Sequence, residues 1–281
     1  MLQIRHYGIT EKNGREKNED AYGVFDFTIN KKNFFVAAVC DGMGAKEESQ
    51  QVSRECVEGV CARLVQKVCT LPENYLEGSA QWLEWWFDLL RKQIQLTEQY
   101  LIEKYFPKAI GTTIALILIY DRKWMFLADC GDSPCYVVDT HRQRIEKYSR
   151  VRNLAEENLM RDPCYYEEDG RRSWLLRDRC CLSAGIGFQS VSETPLEKIH
   201  VDFMGVQSGM LIALGSDGAF STLCEEDILF SLSDVEREKN HEIGTLEEKA
   251  LDLLGYVKNF KQERDNQTLV LIQIEETEES V

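Results

Sequence analysis

The chain has 281 residues, 43% of them apolar, with 33 basic against 48 acidic side chains and a formal net charge of −15. That length and composition suit one large domain with a sizeable core. The acidic balance argues against nucleic acid or an anionic membrane as partner, because phosphate backbones are bound by a surplus of Lys and Arg.

The N-terminus shows no basic-then-apolar signal pattern, and no apolar run approaches the roughly 20 residues that cross a bilayer, so a cytoplasmic protein without a membrane span is expected. The ten cysteines are scattered. Cys40, Cys61, Cys130 and Cys135 lie inside apolar segments, as buried reduced thiols do, and no Cys-x-x-Cys pair suggests a zinc or redox site.

In chain order, residues 2–9 and 21–28 alternate loosely between polar and apolar, and 34–40 is a continuous apolar run. Three opening strands are expected, the third buried on both faces. From 48 to 69, Val52, Cys56, Val57, Val60, Leu64 and Val68 recur at three- and four-residue steps and mark an amphipathic helix. A second helix is expected over 80–105, where Trp82, Trp85 and Trp86 read as a face packed on a sheet. Strands return at 112–120, 123–130 and 135–138, with tight turns at Asp121-Arg122 and Gly131-Asp132-Ser133-Pro134. Segment 149–174 is charged and largely aperiodic, with one weak helical signal, and reads as a mobile surface stretch. Further strands are expected at 175–183, 198–203, 210–214 and 267–274, with helices over 225–232 and 246–260. Strands come in groups with helices in pairs between them, so the class is α+β with antiparallel sheets.

Three apolar runs end in a lone carboxylate beside glycine or asparagine: Asp41-Gly42, Asp217-Gly218 and Asp265-Asn266. Glu19-Asp20 and Gly131-Asp132 are similar places. A carboxylate at the end of a buried strand is costly unless something pairs with it. Oxygen ligands without His or Cys favour Mg²⁺ or Mn²⁺ over zinc, and carboxylates shared between two such ions suit in-line attack at phosphorus. At any one site the alternative is an Asp that caps its own turn. His6, His141, His200 and His241 stand alone and read as structural or exposed.

The order Arg15-Glu16-Lys17-Asn18-Glu19-Asp20, Cys40-Asp41-Gly42-Met43-Gly44, Gly111-Thr112-Thr113, Asp129-Cys130-Gly131-Asp132-Ser133, Ser216-Asp217-Gly218 and Asp265-Asn266-Gln267-Thr268 resembles the PPM family of metal-dependent protein phosphatases, also called type 2C, in its bacterial branch. The resemblance covers one domain at 1–275, before an acidic tail at 276–281. It implies an antiparallel β-sandwich flanked by helices on both faces and hydrolysis of phosphoserine and phosphothreonine in proteins, with a Ser/Thr kinase or its targets as partners. It further implies two Mn²⁺ or Mg²⁺ ions with Asp41 bridging them. Asp217 and Asp265 would complete one ion, and Glu19 and the Gly42 carbonyl would serve the other. Asp20 would support from behind, Arg15 would hold the substrate phosphate, and a hydroxide between the ions would attack.

The chain departs from that pattern in places. Pro134 follows Ser133 where the family has Arg, and Ser221 stands where the usual companion of Asp132 at a third ion would be. The loop Ala45-Lys46-Glu47-Glu48-Ser49 replaces the usual continuation of the second motif. These changes motivate a reading of a different class, a catalytically weak or inactive phosphatase-like module that binds a partner or regulates a kinase.

Overall fold

The computed structural model describes residues 2–44, 48–70, 76–105, 108, 110–167, 171, 174–179, 181–187, 198–233 and 244–276. Within these, β1 (Leu2–Glu11), β2 (Asp20–Ile29) and β3 (Lys32–Met43) open the chain and are followed by α1 (Ser49–Val68) and α2 (Ala80–Tyr105). Next come β4 (Gly111–Thr112), β5 (Ile114–Tyr120), β6 (Trp124–Cys130), β7 (Cys135–Asp139) and β8 (Arg144–Lys147). The remainder is α3 (Leu154–Arg161), α4 (Leu175–Arg179), β9 (His200–Gly205), β10 (Met210–Gly215), α5 (Asp217–Phe220), α6 (Glu225–Leu232), α7 (Leu246–Asn259) and β11 (Gln267–Glu276).

Two antiparallel sheets result. One runs β1-β11-β10-β7-β8 and the other β2-β3-β5-β6-β9, with β4 added to the end of β3. The double-sided burial of β3 shows why its apolar run is unbroken. Phe35, Ala37 and Val39 face the space between the sheets with Ile117, Ile212, Leu214, Val270 and Ile272. Phe34, Val36, Ala38 and Cys40 face α1 and α2 on the other side. The sheet of β1, β11, β10, β7 and β8 packs its outer face, including Leu211, Ala213, Leu269 and Leu271, on α6 and α7. The layers are therefore helix, sheet, sheet, helix, each buried by a strand's period of two or a helix's stripe. Trp82 and Trp86 pack on Tyr120 and Phe126, as expected of a helix laid on a sheet.

The structure corrects three expectations. The strand expected at 112–120 is broken at Thr113 into β4 and β5, because Thr113 turns aside to bond Asp41. The strand expected at 175–183 begins instead as helix α4, whose buried Asp178 accepts a hydrogen bond from the Tyr166 hydroxyl at 2.9 Å. Segment 149–174 is not a loose surface stretch throughout: Arg152, Asn153 and Tyr166 are buried, and α3 is capped by Asn153. The short β8 and α5 were not expected. The 45–47 loop with Lys46, Cys180, His241 and tail residues 277–281 lie outside the described residues, and Glu276 closes β11.

Candidate functional site

The carboxylates meet where the two sheets expose the ends of β3, β10 and β11. In the β2–β3 ladder Asp20 lies directly opposite Asp41. The Asp41 backbone is held on both sides: its N–H donates to Thr113 Oγ1 at 2.9 Å, and its carbonyl accepts from Thr113 N at 2.9 Å and Thr112 Oγ1 at 2.8 Å. Thr113 Oγ1 also meets Ser133 Oγ at 2.6 Å, which joins the Gly-Thr-Thr and Gly-Asp-Ser motifs. Gly42 is required by sterics, since a Cβ there would fall 2.5 Å from the Ser49 carbonyl and 2.6 Å from that of Glu19. The same Glu19 carbonyl accepts from Gly42 N at 3.1 Å and Ser53 Oγ at 2.5 Å, so Glu19 is fixed by its backbone.

Asp217 follows β10 and opens α5. Its approach is set by a reciprocal clasp, Ser216 N to Thr268 O at 3.0 Å and Thr268 N to Ser216 Oγ at 3.0 Å. Asn266 ties the β1–β2 loop down. Its Nδ2 donates to Lys12 O at 3.0 Å and Lys17 O at 2.8 Å, while its Oδ1 accepts from Glu19 N at 2.8 Å. Arg15, carried by that loop, donates from Nε to Asp265 Oδ1 at 2.8 Å and from Nη2 to Asp265 Oδ2 at 2.5 Å.

Electrostatically the site is strained as it stands. Burial, then the charges of Asp20 and Asp217 and a hydrogen bond to Asp217, raise the Asp41 carboxyl well above the usual range. Asp132 is raised likewise, by burial and then by Asp217. Asp217 is raised by burial, while its hydrogen bond with Asp41 pulls it back. A hydrogen bond thus joins the Asp41 and Asp217 carboxyls, and Asp41 is raised the more. Burial pushes Asp20 up to about 7, the nearby hydroxyls of Ser216 and Thr268 oppose this, and Asp217 and Asp265 add to it. Neither Asp20 oxygen completes a hydrogen bond of normal geometry.

Crowded, buried oxygens of this kind suit hard divalent cations, which remove the like-charge repulsion and supply the missing partner. Among the described residues no three acidic, His or Cys side chains are drawn in to metal-ligand spacing, and the Arg15 guanidinium pairs with Asp265.

The structure thus brings Arg15, Glu19, Asp20, Asp41, Gly42, Asp217 and Asp265 to one end of the sandwich, with Asp132 beside Asp217. Three supports stood in the motifs without a role: Thr113, Ser133 and Asn266. Ser133 and Asn266 each follow a motif carboxylate, and Thr113 closes Gly111-Thr112-Thr113, which was the signal available. His200 is not alone, because its Nδ1 stands 2.7 Å from Asp129 Oδ2, and that bond raises the imidazole pKa.

Comparison with known proteins bears on the fold and the family. No curated protein matches the chain by sequence. Among solved structures, the serine/threonine phosphatase Stp1 of Staphylococcus aureus is 21% identical with a TM-score of 0.70, covering 98% of this chain and 96% of its own. The PPM phosphatase MsPP of Mycobacterium smegmatis, in complex with cacodylate, is 20% identical with a TM-score of 0.62, covering 96% and 97%. The catalytic domain of the phosphatase PstP, in complex with two manganese ions, is 18% identical with a TM-score of 0.67, covering 98% and 100%. These likenesses show the fold. The family model for protein phosphatase 2C matches residues 10–155, just over half of the 281 residues. With that match and the sandwich described above, the chain belongs to the protein phosphatase 2C family.

Proposed function

We propose that the chain is a metal-dependent hydrolase of phosphoserine and phosphothreonine in proteins, acting on a Ser/Thr kinase or its targets in the cytoplasm. The observation that carries this reading is the cluster of carboxylates around Asp41, in which Asp20 and Asp132 are buried and both Asp20 oxygens are unpartnered. Asp41, Asp217, Asp265, Glu19 and the Gly42 carbonyl would hold two ions, with Mn²⁺ supported by the metal found in PstP. When bound, such ions supply charge neutralisation at the phosphoryl oxygens and activation of water. Asp132 alone is a poor holder for a third ion, since Ser221 stands in place of its usual companion, so two ions are proposed. The chain's own residues do the rest. Arg15 offers a planar, permanently charged fork for two phosphate oxygens. Thr112 and Thr113 fix the Asp41 backbone so that its carboxyl needs no reorganisation during reaction. The described cysteines are free thiols, in keeping with a reducing compartment. Among the described residues no helix is long and apolar enough to cross a membrane.

The Arg15–Asp265 ion pair favours the second reading, a non-catalytic binding module, because it occupies a carboxylate that an ion would need. Phosphate release from a small aryl phosphate and from phosphothreonine peptides, with Mn²⁺ and with chelator, separates the two. Release that requires Mn²⁺ and is lost in Asp217→Asn supports the enzyme. Mn²⁺ binding without turnover supports the module.

A further inference from the structure

Beside the carboxylates lies a chamber of about 470 Å³ that shares Asp132 and Asp217 with them. Its walls come from the β7–β8 hairpin, α3, α4 and the α5–α6 connection, and its charges are unevenly spent. Lys261 is occupied, donating from Nζ to Asp227 Oδ2 at 2.8 Å. Lys147 on β8 and Arg179 on α4 also line the chamber, and among the described residues neither has an ion-pair partner. Setting aside the two site carboxylates, the acid left to face these two cations is Glu156. Arg179 is not on a stray turn. The preceding Asp178 is buried, accepts from the Tyr166 hydroxyl at 2.9 Å and so docks α4 on the segment after α3.

We infer that this chamber is a substrate subsite for an anionic side chain near the phosphorylated residue, with Lys147 and Arg179 as its cationic partners. The inference rests on the phosphatase reading above for what occupies the neighbouring carboxylates. The size fits: a volume of about 470 Å³ is on the order of 10 Å across, the span of two to three extended residues at about 3.3–3.6 Å each. A peptide with its phosphoryl group at Asp41 and Asp217 therefore places its second or third neighbour between Lys147 and Arg179. A carboxylate and a second phosphate share the chemistry these cations recognise, and the phosphate offers the Arg fork more oxygens.

The test uses the full chain with Mn²⁺ and a phosphothreonine peptide series identical except at the second or third neighbour on either side. That position carries Gln, Glu, Lys or a phosphonate that cannot be released. The readouts are kcat/KM and equilibrium binding by fluorescence anisotropy, with an aryl phosphate as a probe too small to reach the chamber. We expect Glu to exceed Gln by about three- to tenfold on one side, the phosphonate to exceed Glu, and Lys to fall below Gln. Lys147→Gln and Arg179→Gln, each checked for fold by circular dichroism, bring the Glu-to-Gln ratio towards one, and added salt does the same in the unaltered chain. A ratio near one in the unaltered chain, or a ratio unmoved by both substitutions and by salt, overturns the subsite. Loss of all turnover with the binding ratio preserved overturns the phosphatase reading and leaves the subsite standing.

Discussion

Arg15 grips the Asp265 carboxylate at two points, Nε at 2.8 Å and Nη2 at 2.5 Å, so the residue suited to substrate phosphate neutralises a residue suited to metal. Arg15 is 57% exposed and Asp265 34%, and a pair this open to solvent contributes about 0.2–1 kcal/mol. Arg15→Ala should therefore leave stability nearly unchanged and raise Mn²⁺ affinity about two- to fivefold by calorimetry. It should also raise KM for phosphopeptides by about tenfold, since a bidentate phosphate contact is lost. Weaker Mn²⁺ binding in this variant would show that Arg15 does not compete for Asp265.

Asp20 makes the metal-free protein sensitive to pH. Burial raises its carboxyl from 3.8 to about 7, so the folded chain holds a proton that the unfolded chain has released. Stability is thus greatest below about 4 and falls as pH rises to about 7, by an amount on the order of a few kcal/mol for this group. In chelator, the melting temperature should drop across that window, and Asp20→Asn should flatten the slope. Excess Mn²⁺ should restore several degrees near neutral pH, since a ligand at about 100 times its Kd adds about 2.7 kcal/mol.

Thr113 should matter more than its position outside the acidic set suggests. Its hydroxyl accepts from Asp41 N in a half-buried bond and meets Ser133 Oγ in a buried one. Thr113→Val keeps the shape and strands two polar groups, costing about 1–3 kcal/mol. Thermal unfolding should show that loss, with kcat reduced because Asp41 is less well held. Thr113→Ser retains the hydroxyl and should keep most of both.

A buried ion pair behind the site sets the fourth expectation. Lys198 Nζ lies 2.5 Å from Glu98 Oε1, and the same oxygen accepts from Gly187 N at 2.8 Å. This fixes the 184–187 stretch, whose Ile186 exchanges backbone hydrogen bonds with Thr112, the residue that bonds the Asp41 carbonyl. Glu98→Ala leaves a buried cation uncompensated and should cost about 3–5 kcal/mol in denaturant unfolding. Replacing both Glu98 and Lys198 by Met should recover most of it.

Much of this was legible in the residues themselves. The two-faced burial of β3 follows from an unbroken apolar run, and α1 and α2 from a period that shifts to three and four. That Asp41, Asp217 and Asp265 stand beside strand ends followed from the apolar runs next to them. What escaped needed tertiary neighbours. Residues 175–183 mix Leu, Cys and charges in a way that fits strand or helix, and the Tyr166 hydroxyl on Asp178 decides for α4. Arg144–Lys147 is too short and polar to read as a strand, yet pairs with β7. Asn266 looked like a companion of Asp265. Its three bonds to the 12–19 loop exist only because β11 lies beside β1, some 250 residues away in sequence.

The most direct measurement is phosphate release from a phosphothreonine peptide, with Mn²⁺ and with chelator, by the unaltered chain and by Asp41→Asn. Turnover should depend on Mn²⁺ and fall by at least about a thousandfold in Asp41→Asn, with melting of the metal-free protein no lower than in the unaltered chain, because a neutral amide replaces a carboxyl that Asp20 and Asp217 crowd. Equal rates in the two proteins, or turnover that ignores chelator, would contradict it.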